Sequence, residues 1–169
     1  MTRTLRLRAV YPHPVDDVWT ALTDPRALAE WLMPNNFEPI VGKVFRFHVD
    51  PMPGFSGISE CVVLAVEPPL RLVYACTGVP KRADLPRPAA MTIVWTLSRV
   101  DGGTALVLEQ AGVESLPLWW RPIVWIGWRR MLRTLLPKVL RHVEDRQFTP
   151  GAIGRRDYRT STVPEGYAK

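Results

Sequence analysis

The residues from which active sites are usually assembled are few and scattered along this chain. It has three histidines, His13, His48 and His142. His13 precedes a proline in an expected turn. His48 alternates with Phe45 and Phe47 and is expected to face solvent. His142 falls near the end of the last expected helix. A metal needs several ligands that converge, and these three have no such spacing. The sequence has no G-x-S-x-G elbow, HExxH pair, P-loop or dinucleotide glycine pattern. One carboxylate with a raised pKa in an apolar pocket could do acid–base work. Of the polar candidates His48, Glu60, Cys76, Glu109 and Gln110, the carboxylate of Glu109 has outward strand parity. No catalytic residue, metal or cofactor is therefore expected, and the chain is expected to bind rather than to catalyse.

Residues suited to recognition are more plentiful. Gln110 shares strand parity with Leu106 and Leu108, and a buried amide without a partner costs about 1–3 kcal/mol. Its partner is expected to be a ligand or a neighbouring hydroxyl. Seven tryptophans occur. Trp119, Trp120, Trp125 and Trp128 lie between Leu116 and Trp128, a stretch with a single charge, Arg121. Such a cluster can pack a core or lid, roof a cavity, or meet a membrane surface or partner. The neighbouring Arg129, Arg130 and Arg133 fit an interfacial helix. Exposed apolar surface there would favour a homodimer. Trp31 closes a short helix. Phe45, Phe47 and Trp95 share strand faces with other apolar residues. Met131 lies with Trp128 on an apolar helical stripe.

These side chains need elements to position them. RTLRLRAVY (3–11) alternates and is expected to be a half-buried strand. Val15, Val18, Trp19 and Leu22 mark a short helix at about 14–22. Asp24-Pro25 opens a second one, with Leu28, Trp31 and Leu32 on one face, and Pro34 stops it. VFRFHV, 58–66, 71–77, 91–100 and 104–113 follow as strands. They are separated by the turn 50–57, by Pro68-Pro69, by the proline-rich loop 78–90 and by Asp101-Gly102-Gly103. Together they form an antiparallel meander. From Leu116 the period turns helical, and Trp128, Met131, Leu132, Leu135, Val139 and Val143 form one stripe of an amphipathic helix about 18 residues long. Pro137 removes one hydrogen bond from it and is expected to bend it near Arg133. The tail from Phe148 to Lys169 has no apolar period and is expected to be mobile or packed as an extended arm.

Composition agrees with one folded unit. The chain has 169 residues, 47% hydrophobic and 22% charged, which suits a single domain. A domain at 1–147 followed by a tail at 148–169 is expected. Cys61 and Cys76 make neither a disulfide framework nor a CxxC metal site, and no apolar run is long enough to span a membrane. A cytoplasmic protein with reduced thiols is expected. The net charge is +6, but residues 117–146 hold seven basic against two acidic residues. The excess thus belongs to one helix and the tail rather than to a broad face. That distribution argues against nucleic acid as a partner.

A meander with one buried face must be covered. A final helix about 27 Å long is the right size, and a curved sheet wrapped around it leaves an apolar cavity beside the two short helices. The stretch VYPHPVDDVWTALTDPRALAEWLMP resembles the opening of the START-like (SRPBCC, birch-pollen-allergen-like) superfamily. It is most similar to the heat-shock-protein-90 ATPase activator homologue branch. Pro14, Val18, Trp19, Leu22, Thr23, Asp24, Pro25, Trp31 and Pro34 carry the match. VEPPLRLVY (66–74), VDGGTALVLEQAGV (100–113) and GWRRMLRTLLPKVL (127–140) continue it in order. Leu32-Met33, Gln110 and SLPLWWRPIVWI depart from the branch's pattern. The resemblance implies an α+β helix-grip fold. Its members include ligand carriers, cyclases, hormone receptors and co-chaperone domains.

The function expected first is non-enzymatic binding of a small hydrophobic or amphipathic ligand. Trp31, Phe45, Phe47, Trp95, Gln110, Trp119, Trp128 and Met131 are expected at the site. A co-chaperone-like module that stimulates a chaperone's ATPase, and a polyketide-cyclase-like enzyme, are the alternatives.

Overall fold

The computed structural model of the chain describes residues 4–53, 55–154 and 158–169. Arg3 of the expected first strand, Gly54 of the expected turn and 155–157 of the expected tail lie outside them. Strand β1 (Leu5–Tyr11) leads into helices α1 (Val15–Thr23) and α2 (Pro25–Trp31). Five strands follow: β2 (Val44–His48), β3 (Ile58–Glu67), β4 (Arg71–Gly78), β5 (Met91–Val100) and β6 (Gly103–Ala111). They form one antiparallel sheet in the order β1-β6-β5-β4-β3-β2. The sheet grips a C-terminal helical run, so the helix-grip architecture is the one the chain adopts.

Local chemistry explains the boundaries. Asp24 caps α2 by accepting from the Arg26 backbone N–H at 2.8 Å, and Pro25 fills the first helical position, where no N–H is needed. Gly102, at a φ of 77°, turns the β5–β6 hairpin in a conformation that L side chains resist. In β3 the register shifts between Val63 and Ala65. This bulge leaves Leu64 turned outward and bends the strand.

Strand pairing sets the inner face of the sheet in rows. One row runs Phe45, Cys61, Cys76 and Met91. The next runs Val63, Tyr74, Ile93, Gln110 and Leu5. A third runs Leu72, Trp95, Leu108 and Leu7. The core lies between these rows, α1, α2 and the last helix.

That helix begins earlier and ends sooner than its apolar stripe implies. It consists of α3 (Trp120–Arg130), a wide π turn (Met131–Leu135) and α4 (Leu136–Leu140). The bend expected from Pro137 takes the form of the π turn. The Leu136 N–H reaches back five residues to the Met131 carbonyl. In that register the Leu132 carbonyl would need an N–H from Pro137, which has none. The Tyr11 hydroxyl donates to it instead, at 2.6 Å in a buried setting, and burial holds the Tyr11 phenol well above its ordinary pKa. After Leu140 the chain leaves the helix. Strands β7 (Val143–Glu144) and β8 (Gln147–Phe148) form a hairpin. Its turn residues Asp145 and Arg146 have φ of 49° and 63°, and the Asp17 carboxylate accepts from the Arg146 N–H at 2.9 Å. Val143 and Phe148 bury their side chains, so the apolar period outlasts the helix.

The tail returns across the α2 end of the sheet. Glu30 accepts the backbone N–H groups of Gly151 at 2.6 Å and Ile153 at 3.0 Å. The Tyr158 hydroxyl donates to the Ala29 carbonyl at 2.9 Å. Asn35 and Ala168 exchange backbone hydrogen bonds, and Asn35 also bridges to Phe47 of β2. The outer edge of β2 is thereby covered, which blunts an edge that could pair with other chains.

Asp50 completes the strap. It accepts the Thr162 N–H at 2.8 Å, the Thr162 hydroxyl at 2.9 Å and the Ser161 hydroxyl. The Ser161 hydrogen bond, with those of Thr162, draws the Asp50 carboxyl down to about 2. A depressed acid stabilises the folded state above its unfolded pKa of about 3.9 and loses that contribution as pH falls through the folded value. Protection of the Thr162 amide from exchange, taken relative to the unfolded rate at each pH, is therefore expected to persist at pH 4 and to fall between about pH 4 and pH 2. In Asp50→Ala that protection is expected to be absent throughout.

Candidate functional site

Between the inner face of the sheet and α3 lies a hollow of about 220 Å³. On the sheet side Phe47, Ser59, Tyr74, Cys76, Met91, Ile93 and Gln110 line it. Val124, Gly127, Trp128 and Met131 line it from the helix, and Leu32 and Met33 close the α2 side. Val124, Gly127, Trp128 and Met131 fall at i, i+3, i+4 and i+7, one face of a helix. Gly127 contributes no side chain, and a Cβ built there meets nothing within 4 Å. The hollow exists partly because this helical position is empty.

Its walls are apolar, and their polar groups are few. The lining has no carboxylate, imidazole, ammonium or guanidinium group. Gln110 is buried, and its Oε1 accepts the Trp128 indole N–H at 2.6 Å. Its amide nitrogen has the Met91 thioether sulfur, at 3.1 Å, as its partner. A thioether is a weak acceptor, and the amide carries two N–H groups. Tyr74 sits two strands away in the same row. Its hydroxyl accepts the Trp95 indole N–H at 3.0 Å, so its own proton remains to be donated. Burial raises the Tyr74 phenol far above its ordinary pKa, which keeps it a neutral donor. Gln110 and Tyr74 thus offer N–H and O–H groups from one row of an otherwise greasy wall.

The eight expected site residues separate into three groups. Phe47, Gln110, Trp128 and Met131 line the hollow. Trp31, Phe45 and Trp95 were expected there too, but they are sealed in the packed core beside it. The Trp31 indole donates to the Ala21 carbonyl at 2.8 Å. Trp95 meets Trp31 and Trp128 edge-on, with centroids at 5.9 and 5.5 Å. Phe45 is packed among Phe37, Phe47 and Tyr74. Each is shut out by its own neighbours: Trp95 by Trp31 and Trp128, Phe45 by Phe37, Phe47 and Tyr74, and Trp31 by α1 and Trp95. Trp119 lies outside altogether, 64% exposed and against Trp120.

Tyr74 and Ile93 also line the hollow and were not among the expected residues, although strand parity, which puts them on faces shared with Leu72 and Trp95, could have found them. Met33, Val124 and Gly127 had no such signal, since only the placement of α3 makes them neighbours. The other polar candidates lie elsewhere. Glu60 pairs with Arg46 at 2.7 Å and Arg87 at 3.1 Å on the outer face. Glu109 pairs with Arg6 at 3.4 Å. The His48 ring abuts Tyr167 of the tail, and burial is the main cause that lowers its pKa.

The cysteines correct an expectation. Cys61 and Cys76 were expected as reduced thiols, yet they form a disulfide. They stand directly opposite in the β3–β4 register with Cα atoms 4.1 Å apart. Sequence spacing could not reveal this pairing, because it depends on the hairpin register. Cys76 is also part of the wall of the hollow. Among the described residues, no helix is long and apolar enough to cross a membrane.

The chain resembles several solved structures. MLL2253 of Mesorhizobium loti shares 30% identity over 79% of this chain and 94% of its own, with a TM-score of 0.67. CV1439 of Chromobacterium violaceum shares 25% identity over 81% of this chain and 96% of its own, with a TM-score of 0.63. DynU16, a protein in the dynemicin biosynthetic locus, shares 25% identity over 82% of this chain and 47% of its own, with a TM-score of 0.65. No curated protein matches the chain at a significant level. The family model described as Activator of Hsp90 ATPase homolog 1-like protein matches residues 12–140. That match spans strands β2 to β6, both short helices and the whole C-terminal helical run, and the chain belongs to this family.

Proposed function

We propose that the chain binds a small hydrophobic or amphipathic molecule, without covalent chemistry, in the hollow between the sheet and α3. The observation that carries this proposal is the pairing of apolar walls with a buried Gln110 amide whose partner for donation is the Met91 sulfur. A ligand oxygen is a better acceptor than that thioether. Apolar burial would supply affinity at about 25 cal/mol per Å², and Gln110 and Tyr74 would fix a polar end. Because the lining lacks a charged acid or base, the walls suit holding a molecule rather than transforming it. Residues 1–147 are the binding domain in this proposal, and 148–169 its strap.

Gly127→Leu tests the proposal without weakening the fold. The leucine side chain fills the hollow, and replacing a helical glycine gains about 0.8–1.0 kcal/mol of propensity. Native mass spectrometry of freshly purified wild type is expected to show a bound small molecule, and the variant none. With decanoate as probe at about 100 times its Kd, wild type is expected to gain about 2.7 kcal/mol of stability, and Gly127→Leu none. An equal gain in both proteins would place the binding elsewhere. The family's description names an ATPase activator. A chaperone ATPase rate raised by the chain, and lost on charge reversal of Arg129, Arg130 and Arg133, would replace the proposal.

A further inference from the structure

We propose that the outward face of α3 docks on an anionic lipid surface. Leu118, Trp119, Ile126 and Ile123 are 76%, 64%, 58% and 49% exposed, which is unusual for large apolar side chains that lie so close together. Trp119, Ile123 and Ile126 recur at i, i+4 and i+7, so they form one line along the helix. At about 100° per residue, that line lies roughly 120° around the axis from the face turned to the hollow. The helix is thus apolar on two separate sides. One side is used by the hollow, and among the described residues no element covers the other.

Charge decides what covers it. From Ser115 to Val143 the chain has no Asp or Glu, while Arg121, Arg129, Arg130, Arg133, Lys138 and Arg141 are basic. Arg121 is committed to the fold, donating to the Leu116 and Glu114 carbonyls at 3.1 and 2.7 Å. Arg129 lies over the Trp125 ring at 4.4 Å. Arg130 and Arg133 are exposed beyond the apolar line. Apolar and aromatic side chains flanked by arginines are the makeup of a helix that lies in a lipid headgroup layer. The chains enter the acyl boundary, the indole N–H groups stay at headgroup depth, and the guanidinium groups meet phosphates.

Other occupants fit less well. A two-fold contact with a second copy would set Arg129, Arg130 and Arg133 against their own counterparts, in a stretch, 115–143, that itself supplies no acid to offset them. A nucleic acid would use the arginines but leave Leu118, Ile123 and Ile126 in water. Insertion across a bilayer is excluded, because α3 has 11 residues and a span needs about 20.

Vesicle flotation tests the docking. Wild type is expected to float with vesicles of phosphatidylglycerol mixed into phosphatidylcholine, and far less with phosphatidylcholine alone. Added salt is expected to weaken the association. Each basic side chain near an anionic surface contributes about fivefold, so Arg129→Gln/Arg130→Gln/Arg133→Gln is expected to weaken binding about a hundredfold. Trp119→Ser/Ile123→Ser/Ile126→Ser changes only exposed positions, so it is expected to keep the wild-type melting temperature and lose flotation. Failure of wild type to float with the anionic vesicles would overturn the proposal, as would unchanged flotation of either triple variant. A wild-type dimer that the serine variant dissolves, without vesicle binding, would assign the face to a second copy. Docking is independent of the hollow. Gly127→Leu is expected to float as wild type does, so a failed ligand test leaves this result intact.

Discussion

Trp31→Ala is expected to lower the free energy of unfolding by about 3–5 kcal/mol, measured by urea denaturation. Trp31 has no exposed surface, and its removal leaves a void between α2 and Trp95. A second loss comes from the hydrogen bond. The Ala21 carbonyl lies in the last turn of α1, where its helical partner four residues on would be the N–H of Pro25. Proline has none, and the Trp31 indole donates in its place at 2.8 Å. Trp31→Phe keeps most of the packing but orphans that carbonyl, so it is expected to cost about 1–3 kcal/mol. A milder loss in Trp31→Ala than in Trp31→Phe would contradict this account. Neither variant removes a wall of the hollow, so decanoate is expected to stabilise Trp31→Phe as much as wild type.

Reduction of the Cys61–Cys76 disulfide is expected to destabilise the protein by about 3 kcal/mol. The cysteines are 15 residues apart, and closing a loop of about 15 residues removes roughly that much chain entropy from the unfolded state. For a protein of this size the melting temperature is expected to fall by about 6–12 °C in dithiothreitol. Cys61→Ala/Cys76→Ala is expected to melt near the reduced wild type and to ignore the reductant. A melting temperature unaffected by dithiothreitol, with thiol titration showing free cysteines before reduction, would mean that the pair is not bonded in solution. Cys76 lines the hollow, so the same comparison made with decanoate reads out how far this wall depends on the bond.

Two tethers have the same origin and differ in how far the sequence announces them. Pro25 and Pro137 each deprive an upstream carbonyl of its donor. Their presence in helical stretches is plain from the residues, and the lost bond at Pro137 follows from its chemistry. The donors, Trp31 for Ala21 and Tyr11 for Leu132, are not. Tyr11 is 121 residues from Leu132 in the chain, and no local pattern links positions that far apart.

Local periodicity by itself determined the elements: the alternation of β1 to β6, the short helices opened by Pro14 and Pro25, and the inward parity of Gln110. Together with the matched motifs, it determined the helix-grip arrangement too. These follow from which side chains must leave water, and that is settled over a few residues. Only the tertiary structure decided where the interior is full and where it is hollow. Trp95 and Met131 have equal claims by pattern, yet one is locked against Trp31 and the other faces open space. That choice depends on which side chains of α2, α3 and the sheet meet. Packing between distant segments fixes it, as it fixes the register that pairs Cys61 with Cys76.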